Sequence, residues 1–352
     1  MRGLLSREVT VHHRSLALVS LFVLAACGSD GSTADAGNGG GADTGAPGQD
    51  AGPGSDAGAD AQPGADAATD SGAAVDVVRF VAMGDTGKGN TGQSDVGKAV
   101  QAKCAKDGCD FVQLLGDNIY DSGVTSAQDA QWQPKFEQPY ANIPLDFWVV
   151  LGNHDYGGNG AGTEWGKGQF EIDYSKVSQK WKLPSAYWHR TFKHVEMFGL
   201  DTNMQYFFQD AQQRKDVDAW IKASTSTWKI VFGHHPYLSN GPHGNAGTYD
   251  GIPTIGSNVK SFMESIVCGK ADFYICGHDH DRQWMKSTCN GTELIVSGAG
   301  SSTTAFKGAQ PTWFQDDKKL GFFYVRLEGK KATVEVLDDQ GAVELTRTIT
   351  KP

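Results

Sequence analysis

Between Gly28 and Asp76 the sequence has no lysine, no arginine, no glutamate and almost no large apolar residue. These 49 residues hold nine aspartates and 13 glycines instead. So little apolar surface cannot offset the entropy of ordering the segment, which is therefore expected to be disordered. The whole chain also lacks a basic excess, with 31 Lys and Arg against 41 Asp and Glu. Of its net charge of −10, the aspartate-rich stretch supplies −9, and residues 77–352 carry a nearly balanced 28 basic and 31 acidic groups. Without a basic field, nucleic acid is not an expected partner. Among the six cysteines none has zinc-finger spacing, and no apolar run is long enough to span a bilayer. What remains is residues 77–352, enough for one large domain with a substantial core.

The first 27 residues read as an address. Arg2, Arg7 and Arg14 make a basic start, Ser15 to Leu24 is a short apolar run, and Leu24-Ala-Ala-Cys27 closes it. That ending resembles the lipobox of bacterial lipoproteins, in which the cysteine is lipidated and becomes the mature N-terminus. The expectation is a signal peptide over 1–27, a flexible tether over 28–76, and a lipid anchor at Cys27 facing the periplasm or the exterior. Gly28 after that cysteine resembles outer-membrane more than inner-membrane lipoproteins. The irregular Asp spacing of the tether has no calcium-loop pattern, so it reads as a solvated spacer. Export permits disulfides. Cys104 with Cys109, and Cys268 with Cys289, are the candidate pairs, and Cys276 reads as a buried strand thiol.

One event repeats along the rest of the chain. A short apolar run ends in Gly, and metal-type side chains follow at once. Val77–Met83 leads to Gly84-Asp85-Thr-Gly87, and Phe111–Leu115 to Gly116-Asp117-Asn-Ile-Tyr120. Leu145–Leu151 leads to Gly152-Asn153-His154-Asp155, Trp228–Phe232 to Gly233-His234-His235, and Phe273–Cys276 to Gly277-His278-Asp-His280. Helix-like stretches over Gln93–Lys106, Ala211–Ala223 and Asn258–Val267 alternate with them. This is an α/β pattern, in which ligands gather at the carboxyl edge of the strands. After residue 281 the pattern turns β-rich, over Gln283–Ser287, Leu294–Ser297, Gly321–Leu327 and Ala332–Leu337, and reads as a second sheet closing a sandwich.

The strand ends collect Asp85, Asp117, Tyr120, Asn153, His234, His278 and His280. Three imidazoles, two carboxylates, a phenol and an amide are too many for one ion. They suit two ions sharing a carboxylate, the arrangement that clamps both oxygens of a phosphoryl transfer. Asp117 is the natural bridge, because its block also carries Tyr120.

The five blocks Gly-Asp-x-Gly, Gly-Asp-x-x-Tyr, Gly-Asn-His-Asp, Val231-x-x-His234 and Gly-His-x-His resemble the signature blocks of purple acid phosphatases. Within the calcineurin-like metallophosphoesterases the likeness is greatest to the small, tartrate-resistant, mammalian-type branch. It extends from about Val77 to about Thr348, with further support in Tyr174-Ser-Lys-Val-Ser-Gln-Lys-Trp181, Ser297-Gly-Ala-Gly300 and Gly321-Phe-Phe-Tyr-Val325. The resemblance implies a single-domain, four-layer αββα sandwich. It implies one ion held by Asp85, Tyr120, His280 and bridging Asp117, and another by Asn153, His234, His278 and Asp117. Most metallophosphoesterases carry Asp-x-His in the first block, where Gly87 stands here, and Tyr120 supplies the missing ligand. A phenolate is a hard donor, so Fe(III) is expected at the first site and a divalent Fe, Zn or Mn at the second.

The implied reaction is hydrolysis of phosphate monoesters by hydroxide generated at the two ions, as in an acid phosphatase. His154 and His243 are the candidates for protonating the leaving group, with Asp155 expected to orient His154. His235 reads as a pocket wall, and His189 and His194 match no motif. Asp279 is read as a turn or outer-shell residue, and Asp201-Thr202-Asn203, ending the apolar run Val195–Leu200, as a strand-end turn in preference to a segment that approaches the site. Rival readings are a phosphodiesterase or nucleotide-specific hydrolase on the same site, and a non-catalytic surface binding protein on a dead phosphatase fold.

Mammalian relatives in the resembled branch carry a long protease-sensitive loop after the strand equivalent to Val195–Leu200. Here Asp201 leads to the helix-like segment from Ala211 through a short connection. Limited trypsin cleavage of residues 77–352 is therefore expected not to raise activity, and a several-fold rise on nicking would contradict this.

Overall fold

The computed structural model describes residues 75–352. The signal-like segment, Cys27 and the aspartate-rich stretch up to Ala74 lie outside the described residues. The strands in chain order are β1 (Val77–Met83), β2 (Phe111–Leu115), β3 (Phe147–Val150), β4 (Trp181–Lys182), β5 (Trp188–Phe192), β6 (Val195–Gly199) and β7 (Trp228–Phe232). They continue with β8 (Phe273–Cys276), β9 (Arg282–Met285), β10 (Glu293–Ser297), β11 (Thr312–Asp316), β12 (Gly321–Glu328), β13 (Lys331–Asp338) and β14 (Val343–Thr350). The helices are α1 (Thr91–Asp107), α2 (Lys167–Tyr174), α3 (Thr202–Phe208), α4 (Ala211–Ala223) and α5 (Ser257–Phe262). Asn90 caps α1 by accepting from the Gln93 amide, and Asp210 caps α4 by accepting from Gln212 and Gln213.

Two seven-stranded sheets result, in the orders β14-β13-β12-β1-β2-β3-β4 and β11-β9-β10-β8-β7-β6-β5. Each has a parallel core, β1-β2-β3-β4 in one and β6-β7-β8-β10 in the other, with antiparallel strands outside. The sandwich expectation holds, but its construction differs from the sequence reading. The strands after residue 281 do not form a sheet of their own. β9, β10 and β11 extend the sheet of β5–β8, while β12–β14 extend the sheet of β1–β4 through the antiparallel β1–β12 pair, Val77 opposite Glu328. A continuous apolar run says that a strand has two buried faces, not which neighbour its edges choose.

Burial on both faces explains why these strands are apolar throughout. In β7, Ile230 and Phe232 face the core between the sheets while Val231 joins the cluster under α4 and α5. β8 repeats this, with Phe273 and Ile275 on one side and Tyr274 and Cys276 on the other. Phe80 of the first sheet meets Phe232 of the second edge to face, 5.8 Å between centroids. α1 packs on the first sheet, giving four layers. Cys104 bridges Cys109 and Cys268 bridges Cys289, as expected, and Cys276 is free and buried.

The sheets are also tied by charge. Arg282, fully buried at the start of β9, donates to Glu344 of β14 (2.6 Å), to the Leu337 carbonyl of β13 (2.8 Å) and to Asp316 of β11 (2.9 Å). Removing one partner of a buried pair typically costs about 3–5 kcal/mol because it strands the other charges. Glu344 also pairs with Lys319, and both carboxylates keep some water contact, which places the cost near the lower end. Arg282→Met is expected to lower the urea midpoint by the equivalent of about 3 kcal/mol.

Candidate metal centre

All five Gly-terminated strands end on the same side. β1, β2 and β3 deliver Asp85, Asp117 with Tyr120, and Asn153, while β7 and β8 of the other sheet deliver His234 and His278 with His280. The two carboxyl edges are stitched directly. Gly84 N donates to the Ser297 carbonyl at 2.7 Å, and the Ser297 hydroxyl to the Ala82 carbonyl at 2.9 Å. Three expected ligands sit in the left-handed region: Asp85 (φ 58°), Asp117 (φ 51°) and His278 (φ 73°). Such backbone costs on the order of 1–3 kcal/mol per residue and persists only where its surroundings enforce it. Here amides enforce it, since His278 N donates to Asp85 Oδ2 and His154 N to Asp117 Oδ1, both at 2.8 Å.

The donor atoms fall into two groups that share one oxygen. Tyr120 Oη lies 3.0 Å from Asp85 Oδ1, 3.0 Å from Asp117 Oδ2 and 2.9 Å from His280 Nε2. His234 Nε2 lies 2.9 Å from Asn153 Oδ1, 3.1 Å from His278 Nδ1 and 3.3 Å from the same Asp117 Oδ2. Hydrogen bonds alone do not satisfy either group. One phenol hydrogen cannot serve three neighbours, and His234 Nδ1 already faces the Leu115 carbonyl at 2.9 Å, which takes the proton of the neutral ring. With His234 at about 9, its Nε2 is protonated when no cation is bound, and that one hydrogen cannot serve an amide oxygen, a carboxylate oxygen and a second imidazole at once. A cation in each group resolves both conflicts, so this donor set fits a pair of metal ions.

The electrostatics agree. Burial, then the charges of Asp117 and Asp85, pushes the Tyr120 phenol well above its ordinary value, so only a cation would make it a phenolate. Burial and the surrounding imidazoles of His235, His243, His234 and His280 hold His278 well below the usual histidine value, the neutral state a ligand needs. Burial raises Asp117, but the charge and hydrogen bond of His234 outweigh it, and the carboxyl lies below its ordinary range. Burial lowers His234, and Asp117 outweighs this too, setting it at about 9.

Gly87 is packed directly against the loop that carries Tyr120. A Cβ there would fall 1.8 Å from the Asn118 carbonyl oxygen, on the very loop that carries Tyr120. Any side chain at 87, histidine included, would displace that loop. Gly152 is equally constrained, since its Cβ would lie 2.2 Å from Asp117 Oδ1.

The expected role of Asp155 is not what the structure shows. Its buried carboxylate accepts from the amides of Gly152, Asn118 and Ile119 and from the Asn118 side chain, at 2.8–3.0 Å. It thus locks the loops of Asp117, Tyr120 and Asn153 together. His154 is oriented instead by the Asp121 carbonyl, 2.6 Å from Nδ1. Burial and the Asp117 charge raise Asp155 to about 7. Adjacency in sequence misled because the His154 and Asp155 side chains diverge.

His243 does reach the site, 4.2 Å from His278 between ring centroids. Its Nδ1 lies 2.8 Å from Asp250 Oδ1, and its amide donates to Asp279, which supports the outer-shell reading of Asp279. His235 lines the cavity with Nδ1 against Thr202 Oγ1 at 2.9 Å. His189 pairs with Glu196 away from the ligands. The cavity beside the donors, about 340 Å³, is walled by Asn153, His235, His243, Asp250 and His278, and also by Asn203, Tyr206 and Phe207 of α3. The sequence reading missed Asp250 and the helix α3, having preferred a strand-end turn at its first residues. Asp201, read as a strand-end turn, caps α3 through the Met204 amide. Asp201-Thr-Asn203 closing an apolar run was the available signal.

The sequence description of the calcineurin-like phosphoesterases matches residues 78–282. The chain is 31% identical over 308 residues to tartrate-resistant acid phosphatase type 5 of Sus scrofa, covering 75% of this chain and 84% of that one. It is 30% identical over 298 residues to purple acid phosphatase 7 of Arabidopsis thaliana, covering 75% and 83%. Among solved structures it is similar to GAP50, the anchor in the inner membrane complex of Plasmodium, with TM-score 0.64 and 20% identity over 78% of this chain and 89% of that one. At that identity the likeness is one of fold.

The His234–Asp117 pair sets a pH dependence for protein stripped of cations. His234 sits at about 9 against an ordinary 6.5, so its contribution is full below 6.5 and is lost as pH rises toward 9. Asp117 is depressed from 3.8, so its contribution is full above that value and is lost as pH falls. Chelated protein is expected to have its highest urea midpoint between these limits and to lose resistance toward pH 9. Cation-loaded protein should not show that alkaline loss.

Proposed function

The chain belongs to the calcineurin-like phosphoesterase family, and from that premise we propose that it is a dinuclear-metal acid phosphatase of the purple acid phosphatase type, hydrolysing phosphate monoesters. The observation that carries this is Asp117 Oδ2, which lies 3.0 Å from Tyr120 Oη and 3.3 Å from His234 Nε2 and so belongs to both donor groups. Asp85, Asp117, Tyr120 and His280 would hold one ion, and Asn153, Asp117, His234 and His278 the other. The phenol and two carboxylates favour Fe(III) in the first group, while the neutral donors of the second favour a divalent Fe, Zn or Mn. When bound, such a pair polarises phosphoryl oxygens and acidifies water.

The chain's own residues supply the rest. Asp250 holds His243 through Nδ1 at 2.8 Å, leaving Nε2 to deliver a proton to the departing alcohol in acid solution. The Asp121 carbonyl holds His154 Nδ1 in the same way, so that its Nε2 can hold a phosphate oxygen. The imidazoles of His235, His243 and His278, with Asp250 paired to His243, meet the dianionic ester.

Two disulfides suit an exported protein. Together with the lipobox-like ending at Cys27, they support a lipid-anchored enzyme of a bacterial cell envelope, at the outer membrane, that releases phosphate from external monoesters.

Purified protein should contain iron and absorb visible light through a phenolate–Fe(III) pair. Tyr120→Phe should lose the colour and keep the fold by circular dichroism. Rates on a nitrophenyl monoester should exceed those on the matched diester, and His243→Ala should lower kcat by about 10²-fold. Colourless, iron-free protein active with two zinc or manganese ions would remove the iron assignment and leave the phosphatase one. Inactivity of fully metallated protein would remove the phosphatase assignment.

A further inference from the structure

A cation stands over the Tyr120 ring. The Lys88 ammonium lies 5.0 Å from the ring centroid, within the range at which an aromatic face holds a positive charge. The backbone places it there. Lys88 follows Gly87, whose carbonyl accepts from the Tyr120 amide at 2.9 Å, and the Lys88 amide donates to the Thr86 carbonyl at 2.9 Å. The turn that carries Lys88 is therefore pinned to Tyr120 itself. Its side chain is pinned as well. Lys88 Nζ donates to Ser302 Oγ at 2.8 Å, and Ser302 Oγ lies 2.9 Å from His280 Nδ1. His280 Nε2 in turn lies 2.9 Å from Tyr120 Oη. With its Nδ1 proton given to Ser302, His280 turns an Nε2 lone pair toward the first donor group. Among the described residues the Lys88 ammonium meets a hydroxyl and a ring, not a carboxylate, so its charge is left to act on the ring.

We propose that Lys88 is a positioning residue for the first donor group, whose charge, held over Tyr120 by Ser302, makes an iron ion there easier to reduce. This rests on the iron reading of that group and adds the residue that sets its reduction potential. Asp85, Asp117 and a phenolate are hard anionic donors, and together they favour the ferric over the ferrous ion. A positive charge beside them opposes the higher charge of the ferric state, and burial of the site weakens the screening of that effect. The same charge acts most strongly on the ring it overlies. It holds the phenolate electrons lower, so that moving one toward Fe(III) takes light of shorter wavelength. Taking the charge away should therefore lower the potential and move the visible band to longer wavelength.

The test uses chelated protein reloaded with Fe(III) in the presence of zinc, so that iron is the redox-active ion. Its visible band is followed while dithionite, with mediator dyes, supplies one electron to each Fe(III). Lys88→Met keeps the apolar stem and removes the charge. Its band should lie at longer wavelength, and its Fe(III):Fe(II) ratio at a given mediator potential should rise about tenfold, equivalent to a potential lower by about 59 mV. Lys88→Arg keeps the charge and should leave both readings close to those of the unaltered protein. Ser302→Ala frees the ammonium and should move both readings in the same direction by less. A Lys88 that served packing alone would change thermal stability or iron content without moving the band. Band and potential unchanged in Lys88→Met would overturn the tuning role and leave the iron and phosphatase readings standing. Equal shifts in Lys88→Arg and Lys88→Met would also overturn it, because charge would not be the cause. Uptake of Fe(III) with no visible band would overturn the phenolate reading and this role with it, while ester hydrolysis by the same protein would keep the phosphatase reading.

Discussion

Asp117 is the residue on which the rest of the site depends. Its carboxylate is held on one side by the His154 amide and faces two donor groups on the other. Its backbone is forced into the left-handed region, and its surroundings are dry. Left to the protein alone, the arrangement is frustrated: Asp85, Asp117 and a phenol are crowded together, and His234 must carry a proton to balance them. Two cations convert that conflict into ligation, and a metal-binding free energy that exists only in the folded state becomes part of folding stability.

Such a site requires that two sheets meet in one register. Asp117 and Tyr120 come from the first sheet, His234 and His278 from the second, and ligand atoms must agree to within a few tenths of an ångström. The sandwich supplies this through direct bonds between the carboxyl edges and through Arg282, which follows the last ligand by two residues and anchors in β13 and β14 of the opposite sheet. Asp155 does the same locally, gathering the loops after β2 and β3 around one buried carboxylate. The outer shell here is concerned with position more than with proton transfer.

Legibility followed the range of the interaction. β1, β2, β7 and β8 were readable to the residue because each is a β-branched or aromatic run stopped by glycine. The seven donor side chains that the structure brings together were readable because they lie within a few residues of those stops. The reach of His243 followed from the family resemblance. The partners of its ring and of His154 did not, since Asp250 and the Asp121 carbonyl come from loops with no periodic signal. α3 was hidden because seven residues with three consecutive aromatics look as much like a strand end as a helix. The split of the late strands between the two sheets was hidden because pairing is chosen by edges, which leave no trace in side-chain alternation.

By itself the sequence determined which donors exist and that they follow strand ends. These are local facts, set by residue type and by spacing along the chain. Only the tertiary structure decided that Asp117 shares one oxygen between both groups, that Asp155 braces loops rather than His154, and that α3 lines the cavity beside the donors. Those are relations between segments far apart in sequence. They are fixed by how two sheets pack and register against each other, a many-body outcome that no single segment encodes.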